Sequence, residues 1–222
     1  LFHKTSILDA AVNYEGVASY GVLRRLYPQF LETKGTERIR LLMILDKVME
    51  DYEMPHKIHT VNLNKFLYPI LEKGDFLEKT CVKYILARLT ERWGTLALLR
   101  PAFRSRDPEL RRWGLDTFRK VGSIHYMVDD DILPSCLNVK YPDVINGLCH
   151  AVLNSAELQE KLTDEPSHIK AVIEAQKKAD CRTVFALTLV CRKLDFPYTL
   201  DCELLKKGLL SNDPEIRSDA LR

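Results

Sequence analysis

Along PELRRWGLDTFRKVG, residues 108 to 122, Leu110, Gly114, Leu115, Phe118 and Val121 recur at spacings of three and four, while Arg112, Asp116 and Arg119 fall on the opposite side. That spacing predicts a helix with one buried face. Its start is specified chemically: Asp107 can accept from exposed backbone N–H groups, and Pro108 suits the first turn, where its missing N–H costs nothing. Asn212-Asp213-Pro214-Glu215-Ile216-Arg217 repeats the device near the far end of the chain. Similar starts fall near Thr36 in KGTERIRLLMILDKVME and near Asp180 in ADCRTVFALTLVCRKL. No segment of sustained alternation competes for a β assignment, so the pattern predicts an all-α chain.

The pattern has a longer period. PILEKGDFLEKTCVKYILARL begins at Pro69, PAFRSRDPELRRWGLDTFRKVG at Pro101 and PSCLNVKYPDVINGLCHAVL at Pro134. In each, a break at Asp75, Asp107 or Tyr141 follows the proline and a new apolar periodicity starts. Starts at 36, 75, 107, 141, 180 and 213 give a mean repeat of about 35 residues, the length of a helix pair with two short turns. First helices of the pairs are then expected at 61–73, 95–104, 130–139, 167–178 and 200–209. Pro69 and Pro101 lie inside theirs and are expected to bend them.

Proline in a first helix, followed by Asp-Pro-x-Leu/Ile-Arg opening a second, resembles the HEAT repeat, with armadillo repeats as near relatives. The match is best at 101–122 and 211–222, fair at 69–92, 134–154 and 166–194, and poor before residue 60, where Pro28, Pro55 and PHKIHT depart from the pattern. The resemblance implies a right-handed α-solenoid of about six antiparallel helix pairs, a single repeat domain over 1–222 with 61–222 the clearer part. It implies second helices lining an inner surface that grips a partner. It also implies a ladder of hydrogen bonds between repeats through Arg111 and Arg217, broken at Ile145. Families built this way include nuclear transport receptors, phosphatase scaffolds and translation or chromatin adaptors, and fold alone does not choose among them.

Composition narrows the function classes. With 46% hydrophobic residues the chain can bury a sizeable core, and no low-complexity tract or Gly/Ser linker marks a boundary. Its 33 basic and 31 acidic residues nearly cancel, so any electrostatic preference must be local. No run approaches the roughly 18 apolar residues of a membrane span, and the N-terminus lacks the apolar core of a signal peptide. The chain begins without Met and stops at SDALR, which fits a piece of a longer solenoid. Of six cysteines, five sit among apolar neighbours in helix-like segments; free thiols in a cytoplasmic or nuclear, reducing compartment are expected.

Candidate chemistry concentrates at 88–120, where nine basic residues face four acidic ones and both tryptophans, Trp93 and Trp113, occur. Arg104, Arg112, Trp113, Arg119 and Lys120 are the candidate partner-binding residues. Arginine beside an exposed tryptophan can anchor an acidic peptide or hold phosphates and stack bases; the same residues also fit a solvated helix face over core tryptophans. Asp129-Asp130-Asp131 reads as helix capping rather than a calcium loop, and His56-Lys57-Ile58-His59 as solvated histidines rather than zinc ligands. No GxSxG, HExxH, P-loop or GxGxxG occurs. Trp113 and Asp116 loosely resemble the tryptophan and aspartate of the alkylated-DNA glycosylases built from HEAT-like repeats, in residue type alone. The expectation is a non-enzymatic scaffold or adaptor that binds a protein or acidic peptide, with nucleic acid as the alternative. Catalytic residues, cofactor, metal, membrane and small-molecule substrate are not expected.

Overall fold

The computed structural model describes residues 28–50, 57–93, 96–121, 137 and 140–222, and every regular element among them is helical. It divides into two compact units, Leu1–Leu98 and Leu99–Arg222. The first holds α1 (Thr36–Glu50), α2 (Lys57–Lys73), α3 (Phe76–Trp93) and a 3₁₀ turn, Leu96–Leu98. The second holds α4 (Arg100–Phe103), α5 (Pro108–Val121), α6 (Pro142–Leu153), α7 (Ala156–Asp164), α8 (Pro166–Lys178), α9 (Val184–Lys193), α10 (Cys202–Leu209) and α11 (Pro214–Leu221).

In the first unit α3 packs against both α1 and α2, burying Leu41, Leu45, Leu67, Ile85 and Leu89. The turn from α2 into α3 is a capping box: Asp75 Oδ1 accepts from Glu78 N at 2.9 Å, and Glu78 Oε2 accepts from Asp75 N at 3.0 Å. Glu78 is only 2% exposed. Its carboxylate is satisfied because Oε1 also accepts from Gly35 N at 2.6 Å and Oε2 pairs with Arg38 at 3.3 Å. Gly35, at φ 60, supplies the left-handed residue just before α1. Lower down, Arg88 of α3 binds Asp46 of α1. Two charged links thus join α1 and α3. Asn64 and Tyr68 of α2 tie down the 3₁₀ turn through the carbonyls of Ala97 and Leu98, at 2.9 and 2.8 Å. Pro69 lies inside α2, as expected.

In the second unit α5, α6, α9 and α11 form a row, each packed on the next, with α4 behind α5, α7 behind α6, α8 behind α9 and α10 behind α11. Close approach is set by small residues. A Cβ at Gly147 would stand 2.7 Å from the end of the Leu115 side chain, so glycine there lets α6 seat closely against α5. Phe103 of α4 meets Phe118 of α5 edge to face, centroids 6.3 Å apart at 87°. Behind α9, Gln176 of α8 pairs with the backbone of Thr199 on both sides, holding the segment that leads into α10. Asp195, at φ 57, stops α9, and Phe196 N reaches back to Cys191 O at 2.8 Å.

Several expectations are corrected. The single helix expected over 95–104 is split into the 3₁₀ turn and α4, and Pro101 stands in the first turn of α4. There its fixed φ starts a helix instead of bending one. The regular helix expected from Asp180 begins a turn later, at Val184; Asp180 Oδ1 accepts from Arg182 N at 2.9 Å, as Asp107 does from Glu109 N, and residues 181–183 form a turn that leads into the helix. The nine-residue helix α7, capped by Ser155, was not foreseen. The helix expected at 130–139 lies, except for Leu137, outside the described residues. So do Asp129-Asp130-Asp131, Cys136 and residues 1–27, and the side chains of His56 and His59 are likewise outside them.

Candidate binding surface

The two Asp-Pro motifs build the same local structure. Ser105 Oγ accepts from Asp107 N at 3.1 Å, and Asp107 Oδ1 accepts from Glu109 N at 2.9 Å. Ser211 and Asp213 do the same at 3.2 and 2.9 Å. Each motif's arginine then closes on its own serine carbonyl, Arg111 on Ser105 at 3.1 Å and Arg217 on Ser211 at 2.5 Å. Arg111 also reaches α6: Nε donates to Asp143 Oδ2 at 2.7 Å, and its guanidinium lies 4.1 Å over the Tyr141 ring. The link expected to fail at Ile145 is carried one residue on, where Asn146 Nδ2 donates to Arg182 O at 2.9 Å.

These caps fix the phase of α5. Leu110, Gly114, Leu115, Phe118 and Val121 are buried, as the spacing predicts. Arg112, Arg119 and Lys120 are exposed on the same helix, Trp113 is half-buried at the edge of that exposed side, and Arg104 is exposed in the turn before it. Arg119 pairs with Asp116 at 3.5 Å. Not every basic residue of 88–120 is available. Arg111 is held as just described, and Arg88, in the first unit, is held by Asp46. Trp93, also in the first unit, is 6% exposed and belongs to its core.

Arg119 also lines a cavity of about 790 Å³ between α5, α6, the start of α7 and α11. Its polar lining includes His150, Asn154, Glu157, Glu215 and Asp219. Asp219 is buried and pairs with His150, Nε2 to Oδ2 3.3 Å. A second cavity of about 440 Å³ shares His150, Asn154 and Arg222 with the first and adds Leu153, Leu189, Arg192 and Lys193. Sequence reasoning missed these residues because they come from separate helices, and periodicity does not show which helices lie side by side.

Charged and hydrogen-bonding groups line these clefts, and the hydroxyls of Ser155 and Ser218 are in the larger one beside His150 and Asp219. Cys149 and Cys191 are buried, and burial pushes both thiols up, Cys191 to about 11, so neither supplies a thiolate near neutral pH. Ser155, in the larger cleft, is spent accepting from Leu158 N as the cap of α7. Among the described residues no group of three or more His, Cys, Asp or Glu could hold a metal ion, and no helix is long and apolar enough to cross a membrane. Compared with models of protein families, with curated proteins and with solved structures, the chain matches none.

Proposed function

We propose that this chain is a HEAT-like α-solenoid serving as a non-enzymatic interaction scaffold, which binds a partner protein or acidic peptide across the exposed faces of its second helices. The observation that carries the reading is the row α5, α6, α9, α11 in the second unit. α5 is buried on one side and presents charged residues on the other, α9 is buried along most of its length and exposes Arg192 and Lys193 at its end, and clefts of ligand size lie between helices of the row. Arg104, Arg112, Trp113, Arg119 and Lys120 lie at one end of that row and are its partner-contacting residues. Helix pairs of this length do not bury their apolar faces alone, and stacking them yields a long surface suited to an extended partner.

The test is a pull-down from cell extract, with and without nuclease, followed by mass spectrometry. Recovery of the same proteins in both supports the scaffold; recovery that depends on nucleic acid selects the nucleic-acid reading instead. The solenoid itself is tested by solution scattering. It requires a radius of gyration above the roughly 17 Å of a compact domain of this length, and a value at or below that figure rules it out.

A further inference from the structure

We infer that the exposed seam between α1 and α3 in the first unit is a docking groove for an amphipathic α-helix of a partner protein, whose apolar stripe is flanked by carboxylates two turns apart. The site is separate from the α5 face and does not depend on it. Two ion pairs fix how the helices lie: Arg38 of α1 meets Glu78 of α3, and Asp46 meets Arg88, so α1 and α3 run side by side in the same direction. Arg88 shares its side of α3 with Leu77, Cys81 and Tyr84, at spacings of four, three and four. Asp46 shares its side of α1 with Ile39 and Met43 in the same way. Two rows of side chains therefore flank one seam.

The rows are apolar and open to solvent. Met43, Leu77 and Tyr84 are 63, 62 and 62% exposed, and Ile39 and Cys81 are half-buried. Burial and the Asp46 carboxylate both raise the Cys81 thiol, in keeping with its place beside α1. At one end the Asp46–Arg88 pair closes the seam with its charges mutually satisfied. Large apolar side chains gathered in water, on helices whose other sides are already buried, mark an interaction surface.

The chemistry of the seam selects the occupant. Short of the ion pair, the hydrogen-bonding side chains of the two rows are the Tyr84 hydroxyl and the Cys81 thiol. An extended peptide would meet few partners there for its backbone N–H and C=O groups, whereas a helix satisfies its own and presents only side chains. Leu77 and Tyr84 lie two turns apart, roughly 10 Å, so the docking helix needs apolar side chains over two turns. Arg40 and Lys47 set its charge. They are also two turns apart, three and four residues from Met43 on the exposed side of α1, and among the described residues neither is ion-paired. Glu37 lies beyond Arg40, in the first turn of α1. Carboxylates two turns apart on the docking helix meet both cations. A nucleic-acid strand would find only these two cations and set its other phosphates against an apolar surface.

The test uses fluorescein-labelled peptides on the full chain: Ala-Gln-Leu-Glu-Ala-Ala-Leu-Gln-Ala-Leu-Glu-Ala-Gln-Leu, a version with both Glu replaced by Lys, and a version with the central Gln replaced by Pro. The Glu peptide should bind about tenfold tighter than the Lys peptide, and about tenfold tighter than the Pro version, whose helix is broken. Arg40→Glu/Lys47→Glu should reverse the preference, so that the Lys peptide binds tighter. Leu77→Ser/Tyr84→Ser should weaken both about tenfold. All four side chains are exposed, and an unchanged melting temperature confirms each fold. Absence of binding, or binding that neither the proline nor these variants change, overturns the proposal. If the peptides are lost instead from Arg112→Glu/Arg119→Glu/Lys120→Glu, the helix site is refuted while the α5 reading stands. If sedimentation shows a dimer of the full chain that Leu77→Ser/Tyr84→Ser dissociates, the occupant is a second copy and the proposal falls.

Discussion

Phe118 is the most demanding point at which to test how the second unit is built. It is 0% exposed and sits edge to face with Phe103, so one side chain holds α5 to α4 and faces the lining of the large cleft. Phe118→Ala removes a fully buried ring that packs on Phe103. The expected loss is about 3–5 kcal/mol, cavity cost included, which is a large share of the roughly 5–15 kcal/mol that stabilises a typical domain. The pair itself can be isolated: in a double-mutant cycle with Phe103→Leu and Phe118→Leu, the coupling should be about 0.5–1.5 kcal/mol. Urea denaturation followed by fluorescence in a Trp93→Phe background reads the second unit through Trp113, which stands on the same helix. A loss below about 1 kcal/mol for Phe118→Ala, in the range of surface substitutions, would mean that α5 does not bury this face and would refute the reasoning.

Glu78→Ala should cost the first unit about 3–5 kcal/mol in thermal or urea unfolding, because Arg38 is left buried without its partner and Gly35 N loses its acceptor. Asp107→Ala and Asp213→Ala should each cost about 1 kcal/mol and by similar amounts, since the two caps make the same hydrogen bonds. Stability should fall at alkaline pH: thiols raised by burial contribute fully below the unfolded value near 9, and this contribution is lost as pH rises through the folded value of Cys191, about 11. Cys149→Ala/Cys191→Ala should flatten the melting temperature between those limits. In the native protein exposed Cys202 should react with a thiol reagent well before either buried cysteine.

Where the chain writes a helix start twice over, sequence and structure agree: Asp107-Pro108 and Asp213-Pro214 cap their helices and the apolar spacing that follows gives the buried face. Of the two readings left open for the tryptophans, Trp93 takes the buried one, four residues past Leu89 in the buried row of α3. The helix α7 was hard to see because AELQEKLTD buries only Leu158 and Leu162, too few positions to establish a period. Pro101 misled because proline serves a first turn as readily as it disturbs an interior, and only the neighbours decide. The clefts of the second unit were beyond sequence reasoning for a different reason. Periodicity tells which side of a helix is buried, not which other helix lies beside the exposed one, so nothing in it joins Arg119 to His150, Arg192 and Glu215.

The binding face is the central claim, and charge reversal on it is the direct measurement. Arg112→Glu/Arg119→Glu/Lys120→Glu changes only exposed side chains of α5; Arg111 is excluded because it holds Asp143 and Tyr141. Binding of a partner recovered from nuclease-treated extract is measured by titration against the wild-type and variant chains at several salt concentrations, alongside melting temperature. The account predicts that affinity for the partner is lost in the variant, that wild-type affinity declines with salt less steeply than nucleic-acid binding does, and that both chains melt alike. A variant that binds the partner at wild-type strength would contradict it.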